Sequence, residues 1–101
     1  MANFDEKTLI EKFKLTIGDL TPQTDDLNKY YENFLSMAAA ELRANDISET
    51  ILASELGGCA IVLYAKARME GVDTATDKTC IFLRNTLSVQ TKGERRGNDG
   101  D

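Results

Sequence analysis

The sequence predicts an all-α fold, a small bundle of about four helices around a long central third helix. Three observations predict it. Apolar residues recur at helical spacing in four successive segments, and no stretch alternates with period two. The single proline, Pro22, falls in a polar link between two of those segments. A chain of 101 residues with 42% apolar content has enough material for one core, and so for one domain.

The first helix is predicted from about Asp5 to Ile17. Asn3 and Glu6 have capping-box spacing, or Asp5 caps by itself. Leu9, Ile10, Phe13 and Ile17 share one face, and Glu11, Lys12 and Lys14 fall on the other. Gly18 ends the helix.

The second helix has Thr24 as N-cap. Asp25 and Asp26 follow in the first turn, where the helix dipole favours negative charge. Leu27, Tyr31, Phe34, Leu35, Ala38 and Leu42 form one apolar stripe. Arg43 sits near the C-terminal end, and Asn45-Asp46 breaks the pattern.

The third helix is predicted as one unit from Ser48 or Glu49 to Glu70, with Ser48 as cap and Gly71 just past the end. At about 22 residues it would be roughly 33 Å long. Leu56, Ala60, Leu63 and Ala67 are its expected core positions. Cys59 to Ala65 is apolar nearly all round, which marks the buried, central element. Gly57-Gly58 would cost roughly 1 kcal/mol each inside a helix. A close helix crossing is the expected reason, with a kink or a subunit contact as alternatives.

The fourth helix starts after Gly71-Val72-Asp73, where Thr74 and Asp77 have capping spacing. Cys80, Leu83 and Leu87 carry its apolar face, and it is expected to end near Val89 or Gln90. Residues 91–101, TKGERRGNDGD, hold no apolar side chain. That segment cannot offset its ordering entropy by burial and is expected to be a flexible polar tail beyond a helical domain of residues 1–90.

Composition excludes several functions. The chain has no His and carries net charge −5. No imidazole base, His ligand or His-activated nucleophile is possible. Cys59 and Cys80, the two thiols, cannot make a four-ligand zinc site, and both are expected to be buried hydrophobes in a reducing compartment. Asp25 and Asp26 are adjacent and diverge on a helix. Ser36, Ser48, Ser54 and Ser88 have no partner base, and Gly57-Gly58 lacks the setting of a phosphate loop. The chain is therefore expected not to be an enzyme, and to use no cofactor and no metal.

A helix-turn-helix reading fails because the second helix would present Glu49, Thr50, Ser54 and Glu55 to phosphates. No segment has the ~18 apolar residues of a membrane span, and the N-terminus has no targeting pattern, so a cytoplasmic origin is expected. Tyr30, Tyr64, Lys66, Arg68, Glu70 and the doublet Arg95-Arg96 are expected at the surface.

Taken in order, Leu9 to Ile17, Thr24-Asp25-Asp26-Leu27, Leu63-Tyr64-Lys66-Ala67 and Leu83-Leu87 resemble the head–tail connector family of long-tailed double-stranded DNA phages and prophages. The resemblance covers about residues 5–90. One position departs from it: Cys80 stands where such proteins often have a Tyr. The resemblance implies a structural virion protein at the head–tail junction, made in the host cytoplasm. About a dozen copies would form a ring between the portal protein and the next connector. The ring would extend the DNA channel and retain packaged DNA without binding it specifically, and the free chain could be a monomer. A candidate subunit interface takes Tyr30, Arg68, Glu70 and Arg84. Lys92, Arg95 and Arg96 are candidates for contact with the portal or a neighbour. The residues alone leave an alternative open, a small acidic helical binding module that acts as an inhibitor, regulator or assembly chaperone.

Overall fold

The computed structural model describes residues 6–22 and 24–99. All regular structure among them is helical, in five elements: α1 Glu6–Ile17, α2 Asp25–Ala44, α3 Glu49–Leu52, α4 Glu55–Met69 and α5 Lys78–Asp99. α4 packs against each of the other four, so the expected bundle around a central helix is what forms. The capping residues expected at Asn3 and Asp5 lie outside the described residues. No helix among the described residues is long and apolar enough to cross a membrane.

The long third helix of the sequence reading is two helices. Ser54 is an N-cap, not an interior residue. Its hydroxyl accepts from the Gly57 N–H at 3.1 Å and donates to the Ile51 carbonyl at 2.6 Å. Ser48 caps α3 in the same way, accepting from the Ile51 N–H at 3.2 Å. The chain turns so tightly here that the last carbonyls of α3 lie against α4. A Cβ on Gly57 would stand 2.1 Å from the Ile51 oxygen and 2.6 Å from the Leu52 oxygen. Gly57 therefore makes the corner. Gly58 serves the other expected purpose, since its Cβ would touch Leu9 Cδ2 at 3.4 Å, where α1 crosses α4.

Three helix ends close alike. After α1, α2 and α4, residues Gly18, Asp46 and Gly71 adopt positive φ of 77°, 64° and 76°. The following N–H reaches five residues back: Asp19 to the Lys14 carbonyl, Ile47 to Leu42 and Val72 to Ala67. This is the Schellman arrangement, which satisfies the orphan carbonyls of a helix end. Gly18 and Gly71 meet its left-handed position without strain. Asp46 pays some strain there, offset by burial of Ile47 beyond it.

The core contains Leu9, Phe13, Tyr31, Leu35, Leu42, Ala60, Ala67, Leu83 and Leu87, all as expected. Ile17, Leu27, Phe34, Leu56 and Leu63 are only partly buried and pack on its edge. Ile10, Ala38, Ala39, Ile47, Leu52, Ile61, Val62, Tyr64, Ala65 and Cys80 complete it. Phe13 meets Tyr31 edge-to-face, with ring centroids 5.2 Å apart.

Four expectations are corrected. Tyr64 is fully buried, not exposed, and its hydroxyl donates to the Cys80 carbonyl at 2.8 Å. Lys14 is buried, because its ammonium donates to the Thr21 carbonyl across the α1–α2 link. Cys59 is exposed, on the wall of an open groove between α1 and α4. Finally, α5 is capped by Asp77, whose carboxylate accepts from the Cys80 N–H at 3.0 Å, and not by Thr74.

α5 also continues past Gln90 to Asp99. Thr91 extends the buried line of Cys80, Leu83 and Leu87 by one more helical step, and its hydroxyl accepts from the Ser48 N–H at 3.2 Å. A threonine at that register reads as polar in sequence, yet it fits the core edge and satisfies a backbone donor.

Candidate functional site

Two polar hubs brace the links between helices. Glu41 on α2 accepts at Oε1 from Arg68 of α4, with Nη2 at 2.6 Å and Nε at 3.1 Å. Its Oε2 accepts from the Thr74 hydroxyl at 2.6 Å. One carboxylate thus joins α2, α4 and the α4–α5 link. Two guanidinium N–H groups converge on one oxygen of a partly buried carboxylate, which is stronger than an ordinary surface pair.

Asp19 is the second hub. Its carboxylate accepts from the Thr21 hydroxyl at 2.6 Å, the Tyr31 hydroxyl, and the Thr21 N–H at 2.9 Å. The Thr21 hydroxyl is the largest cause, and together these bonds hold the Asp19 carboxyl down at about 2. Burial, reinforced by the Asp19 bond, pushes Tyr31 up to about 12.

These hubs use side chains that could otherwise serve at a surface. Arg68, a candidate for subunit contact, is turned to Glu41 within its own chain. Glu70 is exposed and holds Lys66 at 3.3 Å. Tyr30 is half exposed, with its ring against Tyr31 and Phe34. Arg84 is partly buried on α5, and its charge partly counters the burial that raises Tyr64 and Cys80. Lys92 is exposed, and the side chains of Arg95 and Arg96 lie outside the described residues. Tyr30, Glu70 and Lys92 therefore stay at the surface but on different elements.

The structure exposes apolar surface that the sequence reading missed. Between α1 and α4 runs a groove of about 340 Å³, lined by Lys12, Leu15, Thr16, Cys59, Val62 and Leu63. Leu15 is 72% exposed on its wall. On α5, Phe82 and Val89 are 68% and 69% exposed, one heptad apart on the outward side. The signal for the second surface was present: both lie off the Cys80–Leu83–Leu87 stripe. The groove gave no such signal, because it exists only where two helices diverge.

Charge divides along the same line. Residues 1–77 carry 7 basic and 14 acidic side chains, net −7; residues 78–101 carry 5 and 3, net +2. The acidic part is thus the α1–α4 body, and α5 is the basic element. Among the described residues no three His, Cys, Asp or Glu side chains gather as a metal site. The Cys80 thiol is pushed up to about 11, first by burial and then by Asp77, away from nucleophilic reactivity. The surfaces present are an apolar groove, an apolar helix stripe and regions of opposite net charge. The chain is a helical domain of this kind, and no family model, curated protein or solved structure matches it.

Proposed function

We propose that the chain is a structural subunit of a phage head–tail connector, assembling as a ring beneath the portal and extending the DNA channel. The observation that carries this reading is the presence of two separate apolar surfaces, the α1–α4 groove and the outer side of α5, on one rigid helical body. A ring built from identical copies needs two different faces on each subunit. The order of elements supports it too. A short α1, an α2 opening on Thr24-Asp25-Asp26-Leu27, the Leu63-Tyr64-Lys66-Ala67 segment within α4, and Leu83-Leu87 within α5 follow the connector order. A body of net −7 suits a wall past which DNA slides, because it neutralises no phosphates.

In this reading Lys92, Arg95 and Arg96 touch the portal or the neighbouring subunit. Truncation after Thr91 tests that contact while keeping the buried hydroxyl in place. The whole reading is tested by adding the purified chain to DNA-filled, portal-bearing heads that lack connectors. Electron microscopy is expected to reveal an added ring, and nuclease protection of the packaged DNA is expected to rise. Absence of both overturns it.

The acidic body also supports a second reading, a binding module or assembly chaperone that covers a basic partner. That reading predicts a complex of fixed small stoichiometry with such a partner, and no ring on heads.

A further inference from the structure

The outward lines of α4 and α5 are complementary. Along α4, Glu55, Cys59, Leu63, Lys66 and Glu70 succeed one another at steps of four or three, and Glu55, Cys59 and Glu70 are exposed. This line has a carboxylate at each end, with Cys59 and Leu63 between them and Lys66 one step inside Glu70 and paired with it at 3.3 Å; Cys59 and Leu63 line the α1–α4 groove whose far wall is Leu15. Along α5, Lys78, Phe82, Asn85, Val89 and Lys92 follow the same kind of steps, and all five are exposed. This line has an ammonium at each end and apolar surface between.

The spans agree as well. At 1.5 Å per residue, Glu55 to Glu70 covers about 22 Å and Lys78 to Lys92 about 21 Å. α5 packs on its own α4 through Cys80, Leu83 and Leu87, so its outward line cannot enter the groove of its own chain. A second copy can supply it.

We infer that the outward line of α5 in one copy lies in the α1–α4 groove of the next, Phe82 and Val89 against Leu15, Cys59 and Leu63, with Lys78 and Lys92 meeting Glu55 and Glu70. The contact is helix-in-groove and heterologous. It leaves a free groove at one end of any short assembly and a free α5 at the other, so it propagates until a ring closes. The net −7 of residues 1–77 and the net +2 of the remainder steer the approach. The inference rests on the connector reading only in requiring that identical copies meet.

Cys59 lies in the groove and Cys80 is buried, so the chain offers its own crosslinking site. Val89→Cys combined with Cys59→Ser gives a chain whose one exposed thiol is on α5, Cys80 staying buried. Mixed with the unaltered chain under a mild thiol oxidant, it is expected to form mixed disulfides well ahead of either homodimer. Tyr30→Cys with Cys59→Ser, a thiol on α2, is expected to show no such preference. Lys78→Glu with Lys92→Glu on the α5-thiol chain is expected to slow the mixed product about tenfold. Glu55→Lys with Glu70→Lys in its partner is expected to restore it. Mixed disulfides no faster than homodimers, or no restoration by the second charge reversal, overturn the inference and assign the groove to another occupant. The two readings fail separately. Selective crosslinking by a chain that adds no ring to heads sinks the connector role alone, and a ring whose subunits do not crosslink through residues 59 and 89 sinks this interface alone.

Discussion

The α1–α4 body and α5 are built from similar residues but are held differently. In the body, α4 is wrapped by three other helices, Phe13 and Tyr31 meet edge-to-face, and every helix longer than one turn ends in the same closed backbone motif. α5 packs along a single line, Cys80, Leu83, Leu87 and Thr91, with two polar ties: the Tyr64 hydroxyl to the Cys80 carbonyl, and the Ser48 N–H to the Thr91 hydroxyl. The body therefore concentrates stability. α5 is fastened along this one line only, and its opposite side leaves Phe82 and Val89 exposed.

The largest test of that contrast is a pair of truncations. Phe13→Ala, at the centre of the body, is expected to cost about 3–5 kcal/mol. Leu87→Ala, fully buried but on the one-sided packing of α5, is expected near the low end, about 2–3 kcal/mol. Urea unfolding measures both, and a larger loss at Leu87 would reverse the contrast.

The two adjacent glycines separate corner from crossing. Gly57→Ala drives a Cβ into two backbone carbonyls and is expected to cost about 3 kcal/mol, since backbone cannot yield as a side chain does. Gly58→Ala only touches Leu9 and gains helix propensity, so it is expected to be neutral or to stabilise by up to about 1 kcal/mol. Equal effects at the two positions would remove the account of the α3–α4 corner.

A smaller effect sharpens the account of α5. Thr91→Val keeps the shape but withdraws the acceptor from the Ser48 N–H, at a cost of about 1–2 kcal/mol. Hydrogen exchange is expected to speed up at Ser48 and along the last turns of α5 while α2 and α4 keep their protection. Uniform acceleration would mean that α5 does not open by itself.

The gentlest probe is pH. Tyr31 and Tyr64 are raised from 10.0 to about 12, and Cys80 from 9.0 to about 11, chiefly by burial. Their contributions are fully present below pH 9 and are lost as pH rises through about 11 and 12, because the unfolded chain ionises first. Asp19 is lowered from 3.8 to about 2, so its contribution is present above pH 3.8 and lost as pH falls through about 2. Stability is thus expected to be level across neutral pH and to decline at both extremes. Tyr64→Phe should flatten part of the alkaline decline in thermal melts. An unchanged alkaline limb would show that burial does not restrain this hydroxyl.

Local signals in the sequence sufficed for much of this. The all-α class, the span of α2, its Thr24 cap and the stops at Gly18 and Gly71 follow from periodicity and from backbone preferences that act within a few residues. Nine expected core positions are buried for the same reason: a stripe at helical spacing has to face something apolar.

Tertiary structure alone decided the rest. Ser54 reads as the interior of one long helix, and only the packing of α3 on α4 made it a cap. Tyr64 and Lys14 look like surface residues until Cys80 and Thr21 offer their polar tips a carbonyl. Cys59 looks like core in its apolar run, but its side of α4 is left open to the groove. Periodicity states which residues share a face of one helix, but burial depends on which second helix meets that face, and that is settled by the whole chain's packing.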